Sequence, residues 1–243
     1  MSELPTIVIG VPGSWPDRSA IVESIARHGD GYLFAGLILI NSKTKWSCTL
    51  EVYEHDPNMR RAFEAAGGGR ISDEQLDRIQ QHSHTLYLSS DGGSTDRARA
   101  IAVAGNTLLN CGGLGVKVES AGIAHAPQRW CELTELEPSI AMLHAFVTYA
   151  GEKGSFYSCG MHNIGYRDTV VTGDITARDA TDLLFGFNTY IALEQAIIAD
   201  GETFGLDADS PRYRVHKLDC SEFAPDDLFH NPYGVYSLVQ EPA

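Results

Sequence analysis

From Trp46 to Tyr53 the chain alternates. Trp46, Cys48, Leu50 and Val52 are apolar, and Ser47, Thr49, Glu51 and Tyr53 lie between them. Successive side chains of a strand point to opposite faces, so this period of two predicts a strand with one buried face and one wet face. Residues 32–40 form a second β-run, and the polar turn 41–45 joins the two as a hairpin. Helical periods interleave with such runs, without a strict βαβ rhythm. The fold class that follows is α+β: a mixed or antiparallel sheet packed with helices. No linker, repeat or low-complexity stretch divides the sequence, so residues 1–243 read as one domain, with room for two lobes.

The remaining elements follow from caps and periods. Residues 6–9 read as a buried strand and Val11-Pro12-Gly13-Ser14-Trp15-Pro16 as the turn after it, with Asp17 capping a helix to about His28. Residues 58–81 are mostly helical and break at Gly67-Gly68-Gly69; Ser72 and Gln75 have the spacing of a capping box. A strand at 85–88 turns through Asp91-Gly92-Gly93-Ser94. The helix after it puts Ala98, Ile101, Ala102, Gly105, Leu108 and Leu109 on one face, and Gly112-Gly113 ends it. Val116 and Val118 mark the inner face of a strand. Ser139 opens a helix with Ile140, Leu143, His144 and Val147 on one side, and residues 156–159 and 169–171 read as a second hairpin. Residues 177–199 form the cleanest helix, with a stripe of Ala180, Leu183, Leu184, Phe187, Tyr190, Ile191 and Ile198. Strands at 212–218 and 235–239 close the chain.

Composition sets the class of partner. Hydrophobic residues make up 43% and charged residues 21%, which is globular, and 243 residues can bury a core without disulfides or metal. A net charge of −14 repels nucleic acid and anionic lipid, and attracts a basic partner. Acidity also serves solubility alone. The longest apolar run, residues 33–40, is too short to cross a bilayer. The first ten residues carry Glu3 and no basic segment, so they do not read as a secretory leader. Cys48, Cys111, Cys131, Cys159 and Cys220 are odd in number, widely spaced and without a CxxC pair. That pattern predicts reduced thiols and a cytoplasmic location, not a disulfide framework or a zinc ribbon.

Candidate chemistry is sparse. The glycine turns 10–14 and 91–94 follow strands and precede helices, as phosphate cradles do, but no Lys follows and Asp17 and Asp91 would repel an anion, so ordinary turns account for them. His82 and His84 are two apart, a spacing that lets both rings of a strand reach one ion, and Glu119, His125 and His162 are further ligand types without fixed spacing. These five define the alternative of a metal-dependent hydrolase. His144, on an apolar helical face, reads as a core histidine. Cys159 has His162 three residues on, which puts the two on opposite faces of a continuing strand, so a structural thiol is favoured over a nucleophile. Glu194 interrupts its helical stripe and reads either as a general acid or as a helix turned slightly to water. No catalytic residue, metal or cofactor is assigned.

Aromatic residues among acids are what an interface for a basic protein uses. Two segments have that character: Trp130 with Glu132, Glu135 and Glu137, and Phe229 with Asp226 and Asp227. Solvated loops would look similar.

Several segments in order resemble a bacterial family known as domain of unknown function 4261 and the related immunity protein 52 group. They are Gly10-Val11-Pro12-Gly13-Ser14-Trp15-Pro16; Gly115-Val116-Lys117-Val118-Glu119-Ser120-Ala121-Gly122 with His125 and Trp130; Ser158-Cys159-Gly160-Met161-His162; and Asp200-Gly201-Glu202-Thr203-Phe204-Gly205. The resemblance implies a single α+β domain. It also implies a non-catalytic immunity protein that binds and neutralises a cognate toxin, often a nuclease, of a polymorphic-toxin or type VI secretion system. It supplies no catalytic residue.

Overall fold

The computed structural model describes residues 4–152 and 154–242; Met1 to Glu3, which carry the acid weighed against a leader, lie outside them. Strand β1 (Thr6–Gly13) is central to the first sheet. It runs four residues beyond Ile9, because residues 10–13 keep pairing with β5 (His84–Asp91), from Thr6↔Asp91 to Gly13↔His84. Pro12 lacks a donor, but its carbonyl accepts from the Leu114 N–H at 2.8 Å. The chain therefore turns only at Ser14. Asp17 caps α1 (Arg18–His28) as its spacing predicts, accepting from the Ala20 N–H at 2.9 Å.

The single β-run at 32–40 is itself a hairpin, β2 (Tyr32–Ala35) and β3 (Ile38–Asn41), because Gly36 takes φ 61° between them. With β4 (Ser47–Glu54), β6 (Val116–Val118) and β7 (Ile123–His125) the strands form one antiparallel sheet in the order β2-β3-β4-β5-β1-β6-β7. One face packs on α1 and α4 (Thr95–Asn110) through Ile7, Ile9, Leu50, Leu86, Ile101 and Leu108. Helix α4 lies close: a Cβ on Gly105 would sit 2.8 Å from the Ile9 side chain. Helices α2 (Met59–Gly67) and α3 (Asp73–Gln80) build a smaller core from Phe63, Leu76, Ile79 and Leu114 against Ala124 of β7.

Helices α5 (Pro127–Glu135) and α6 (Pro138–Phe146) lead to the second sheet. Its strands are β8 (Thr148–Glu152), β9 (Ser155–Cys159), β10 (Asp168–Thr172), β11 (Thr203–Phe204), β12 (Tyr213–Leu218) and β13 (Val235–Gln240). They lie in the order β11-β12-β13-β10-β9-β8, with β10 and β13 parallel and the other pairs antiparallel. The hairpin expected from 156–159 and 169–171 exists as the β9–β10 pair, but a 3-10 turn at Met161–Ile164 sits in its connection. Helix α7 (Ala177–Glu194) covers this sheet with Leu183, Leu184, Phe187 and Ile191 against Val171, Val215 and Leu238. It stops five residues before Ala199, because Gln195 turns left-handed at φ 50°. Tyr149 and Tyr166 pack against both cores, so the two lobes share a continuous interior. The result is α+β, and among the described residues no helix is long and apolar enough to cross a membrane.

Candidate interaction groove

The five residues of the hydrolase alternative do not meet. Among the described residues no three His, Cys, Asp or Glu side chains are placed to hold one ion. His82 is buried, with Nδ1 2.8 Å from the Ile79 carbonyl while Nε2 accepts from the Asp56 N–H at 3.1 Å, so backbone occupies both ring nitrogens. His84 faces the Trp15 carbonyl at 3.1 Å and Glu119 pairs with Lys117. His125 faces the Ala145 carbonyl at 3.0 Å and stacks on Trp130. His162 is buried with Nδ1 3.8 Å from Asp168. Burial pushes the Cys159 thiol up, and the Asp168 charge adds to it, which suits a structural cysteine. Glu194 is exposed at the end of α7, the outcome expected of a slightly rotated helix. The glycines at 10–13 belong to β1, so no cradle forms there.

The first acidic patch is corrected by burial. Trp130 is 0% exposed and donates its indole N–H to the Ala102 carbonyl at 3.0 Å, deep between α4 and α5. It cannot anchor a partner while it holds the core. Glu137 is also engaged: its carboxylate accepts from the Ser139 and Ile140 N–H groups, each at 3.1 Å, and so caps α6. Glu132 pairs with Arg129 at 3.3 Å, and Glu135 is exposed.

The second patch borders a groove of about 640 Å³. Its floor is made of small residues: Ala65, Ala66 and Gly68 at the end of α2, Ala121 and Gly122 in the β6–β7 turn, and Ala150 of β8. Tyr157 and Cys159 of β9 form one wall, and Phe223 and Phe229 another. The two phenyl rings lean together at 5.5 Å, and Phe229 lies over Gly122, where φ is 66°. Phe223 and Phe229 belong to a long connection between β12 and β13, so their placement needs anchors. The Asp227 carboxylate accepts from the Phe229 N–H at 2.8 Å. His230 Nδ1 lies 3.0 Å from the Phe223 carbonyl. Asn231 donates to Asp168 at 2.7 Å and to the Tyr166 carbonyl at 3.0 Å. Asp168, buried, also accepts from the Ser158 hydroxyl at 3.2 Å and the Met161 N–H at 3.1 Å. A smaller cavity of about 260 Å³ lies between this loop and the sheet and shares the walls Tyr157, Cys159, Phe223 and Phe229.

The loop that carries Phe223 and Phe229 is acidic. Burial raises the Tyr157 phenol, and nearby Cys159 and Glu222 raise it further. The Asp227 charge likewise contributes to raising Cys159. Glu222 lines the smaller cavity, and Asp226 and Asp227 are exposed on the same loop. Arg70 is the cation among the lining residues, with its Nε donating to the Gly67 carbonyl at 3.1 Å. Of the expected interface residues, Asp226, Asp227 and Phe229 are thus brought together, while Trp130 is not available. Tyr157 and Phe223, which also line the groove, were not among the expected residues. Tyr157 carried a signal, since Phe156 and Tyr157 are neighbours on a strand and only one can face α7.

The fold and the groove define an α+β protein with a surface cleft walled by aromatic residues, in whose lining Arg70 is the charged residue. No family model matches the chain, and neither a curated protein nor a solved structure does.

Proposed function

We propose that this chain is a non-catalytic immunity protein that binds and neutralises a cognate bacterial toxin in the cytoplasm of the cell that makes it. The toxin is a basic protein, a nuclease effector of a type VI secretion or polymorphic-toxin system. The observation that carries the reading is the groove: a pair of aromatic residues, Phe223 and Phe229, on the loop that also carries the exposed acids Glu222, Asp226 and Asp227. A nuclease needs a basic cleft to hold phosphate, and an acidic protein with an aromatic anchor complements such a cleft. A net charge of −14 speeds that encounter and disfavours nucleic acid as a direct ligand. The sequence segments that resemble immunity proteins support the same reading.

The test is co-expression. The gene beside this one is expressed alone and together with this chain. The expected result is toxicity alone, rescue together, and a complex that survives size-exclusion chromatography. A harmless neighbour, or one that stays toxic and unbound, overturns the reading.

A further inference from the structure

The second sheet has two unlike sides. Phe156, Val171 and Leu238 face α7, so strand alternation puts Tyr157, Asp168 and Val235 on the other side. The loop 219–234, between β12 and β13, lies over that side and leaves the cavity of about 260 Å³ beneath it. Three aromatic residues, Tyr157, Phe223 and Phe229, are among its walls, and so are three carboxylates, Asp168, Asp219 and Glu222. Among the described residues no Lys, Arg or His lines it. The cavity thus differs from the groove next to it, whose charged lining residue is Arg70.

The walls specify what the cavity accepts. Asp168 is 6% exposed, while Asp219 and Glu222 are open to water. Among the described residues no Lys or Arg pairs with Asp168; the nearest basic group is His162, at 3.8 Å. Its acceptor sites are nevertheless in use. Oδ1 accepts from the Ser158 hydroxyl and the Met161 N–H, and Oδ2 accepts from the Asn231 amide at 2.7 Å. Asp168 therefore offers negative charge with little further capacity to accept hydrogen bonds. Burial raises the Tyr157 phenol and the Cys159 thiol, and Glu222 and Asp168 respectively add to it, as a negative field does. Such a field favours a cation. A primary ammonium would bring three N–H donors that lose water and lack buried acceptors, which is costly. A quaternary ammonium brings charge and no donor, and its methyl groups pack on aromatic faces that attract a cation. A metal ion fits less well, since no three acids among the described residues are placed to hold one. The volume is small for a ligand site and suits a compact molecule.

We infer that the cavity beneath the loop 219–234 is a binding site for a small quaternary ammonium compound, held by the rings of Tyr157, Phe223 and Phe229 and by the charges of Asp168, Asp219 and Glu222. The site goes beyond the proposed function and does not depend on it, because it is built by the loop and the sheet of this chain alone. The rings supply affinity, and the carboxylates select against neutral and anionic molecules of the same shape.

The test is calorimetric titration of the full chain with three probes. The first is choline. The second is 3,3-dimethylbutan-1-ol, which has the same shape with carbon in place of the charged nitrogen. The third is ethanolamine, a primary ammonium of the same chain length. Choline is expected to saturate one site, and the other two to bind at least about tenfold more weakly. Phe223→Leu keeps apolar bulk and removes the ring, and is expected to weaken choline several-fold. Asp219→Asn with Glu222→Gln, at exposed positions, is expected to do the same. Asp168→Asn, checked for folding by circular dichroism, is expected to abolish saturation. The absence of saturable choline binding, or equal binding of the neutral alcohol or of ethanolamine, overturns the site. Wild-type choline affinity in both Phe223→Leu and the double variant also overturns it, whether or not Asp168→Asn folds.

Discussion

The Ser120 hydroxyl donates to the Asn163 side-chain carbonyl at 2.9 Å, and both residues are fully buried where the two sheets meet. Ser120 lies between β6 and β7, and Asn163 lies in the 3-10 turn after β9. Asn163 also donates to the Phe146 carbonyl at 3.4 Å, and its backbone carbonyl accepts from the Gly93 N–H at 3.0 Å. One side chain thus ties the first sheet to the end of α6, beside the groove floor at Ala121. Removing it leaves a buried hydroxyl and a buried carbonyl short of partners. Asn163→Ala is expected to lower the unfolding free energy by about 2–3 kcal/mol, and Ser120→Ala by about 1 kcal/mol. Urea denaturation checks this; unchanged midpoints would mean that the seam is held by apolar contacts alone.

Burial depresses the His125 imidazole to about 4; the Ala145 carbonyl opposes the shift, and Arg70, Arg129 and His144 add to it. In the unfolded chain the same ring titrates near 6.5. Between those values the unfolded state binds the extra proton, so stability falls as pH drops through that window and levels off above it. The full effect is about 3 kcal/mol. Burial lowers His82 and His144 as well, with the same sign. Urea unfolding at about pH 7 and about pH 4.5 should show the loss, and a smaller loss in His125→Gln. Equal slopes in the two proteins would assign the pH dependence elsewhere.

The thiols should separate by burial. Cys48 and Cys111 are buried and pushed up to about 12 and about 11 by desolvation, with Ser24 partly offsetting the shift at Cys111. Cys159 is raised too, and the Cys131 thiol donates to the Asn106 side-chain Oδ1 at 2.8 Å. Cys220 is half-exposed in the loop beyond β12. A thiolate reagent should label Cys220 first, and Cys48, Cys111 and Cys159 only as the chain unfolds. All five should be free in denatured protein purified without reductant. Mass mapping of the labelled sites checks both points, and a disulfide would contradict a cytoplasmic location.

Local periods were legible and long-range placement was not. Asp17 and Ser72 cap their helices, because a cap is settled within a few residues, but the Gln75 side chain donates to the Leu114 carbonyl and does not complete the capping box. Trp130 shows the limit. It is close to Glu132 and Glu135 in sequence, yet it shares a helical face with buried Leu133, three residues on, while those acids face water. Reading α5 by its turn would have placed Trp130 inside. The run 32–40 hid a turn because one glycine at positive φ reverses the chain without any polar interruption. The groove itself depends on which strands end the two sheets, and that follows from tertiary pairing that no local pattern in β7 or β8 records.

That distinction separates the two acidic patches in a binding experiment. Under the proposed function, Asp226→Lys with Asp227→Lys reverses charge beside Phe229 and should slow toxin association several-fold, with a weaker effect on dissociation. The association rate of wild type should fall as salt rises, because exposed charges are screened beyond about 8–10 Å at physiological ionic strength. Phe229→Ala should instead speed dissociation, at a cost of about 2 kcal/mol. Glu132→Lys with Glu135→Lys should leave both rates near wild type, since Trp130 lies in the core and leaves that surface without its aromatic anchor. Surface plasmon resonance on the neighbour-encoded toxin gives both rates. If the α5 pair slows association and the 226–227 pair does not, the toxin docks on α5 and the groove reading is wrong.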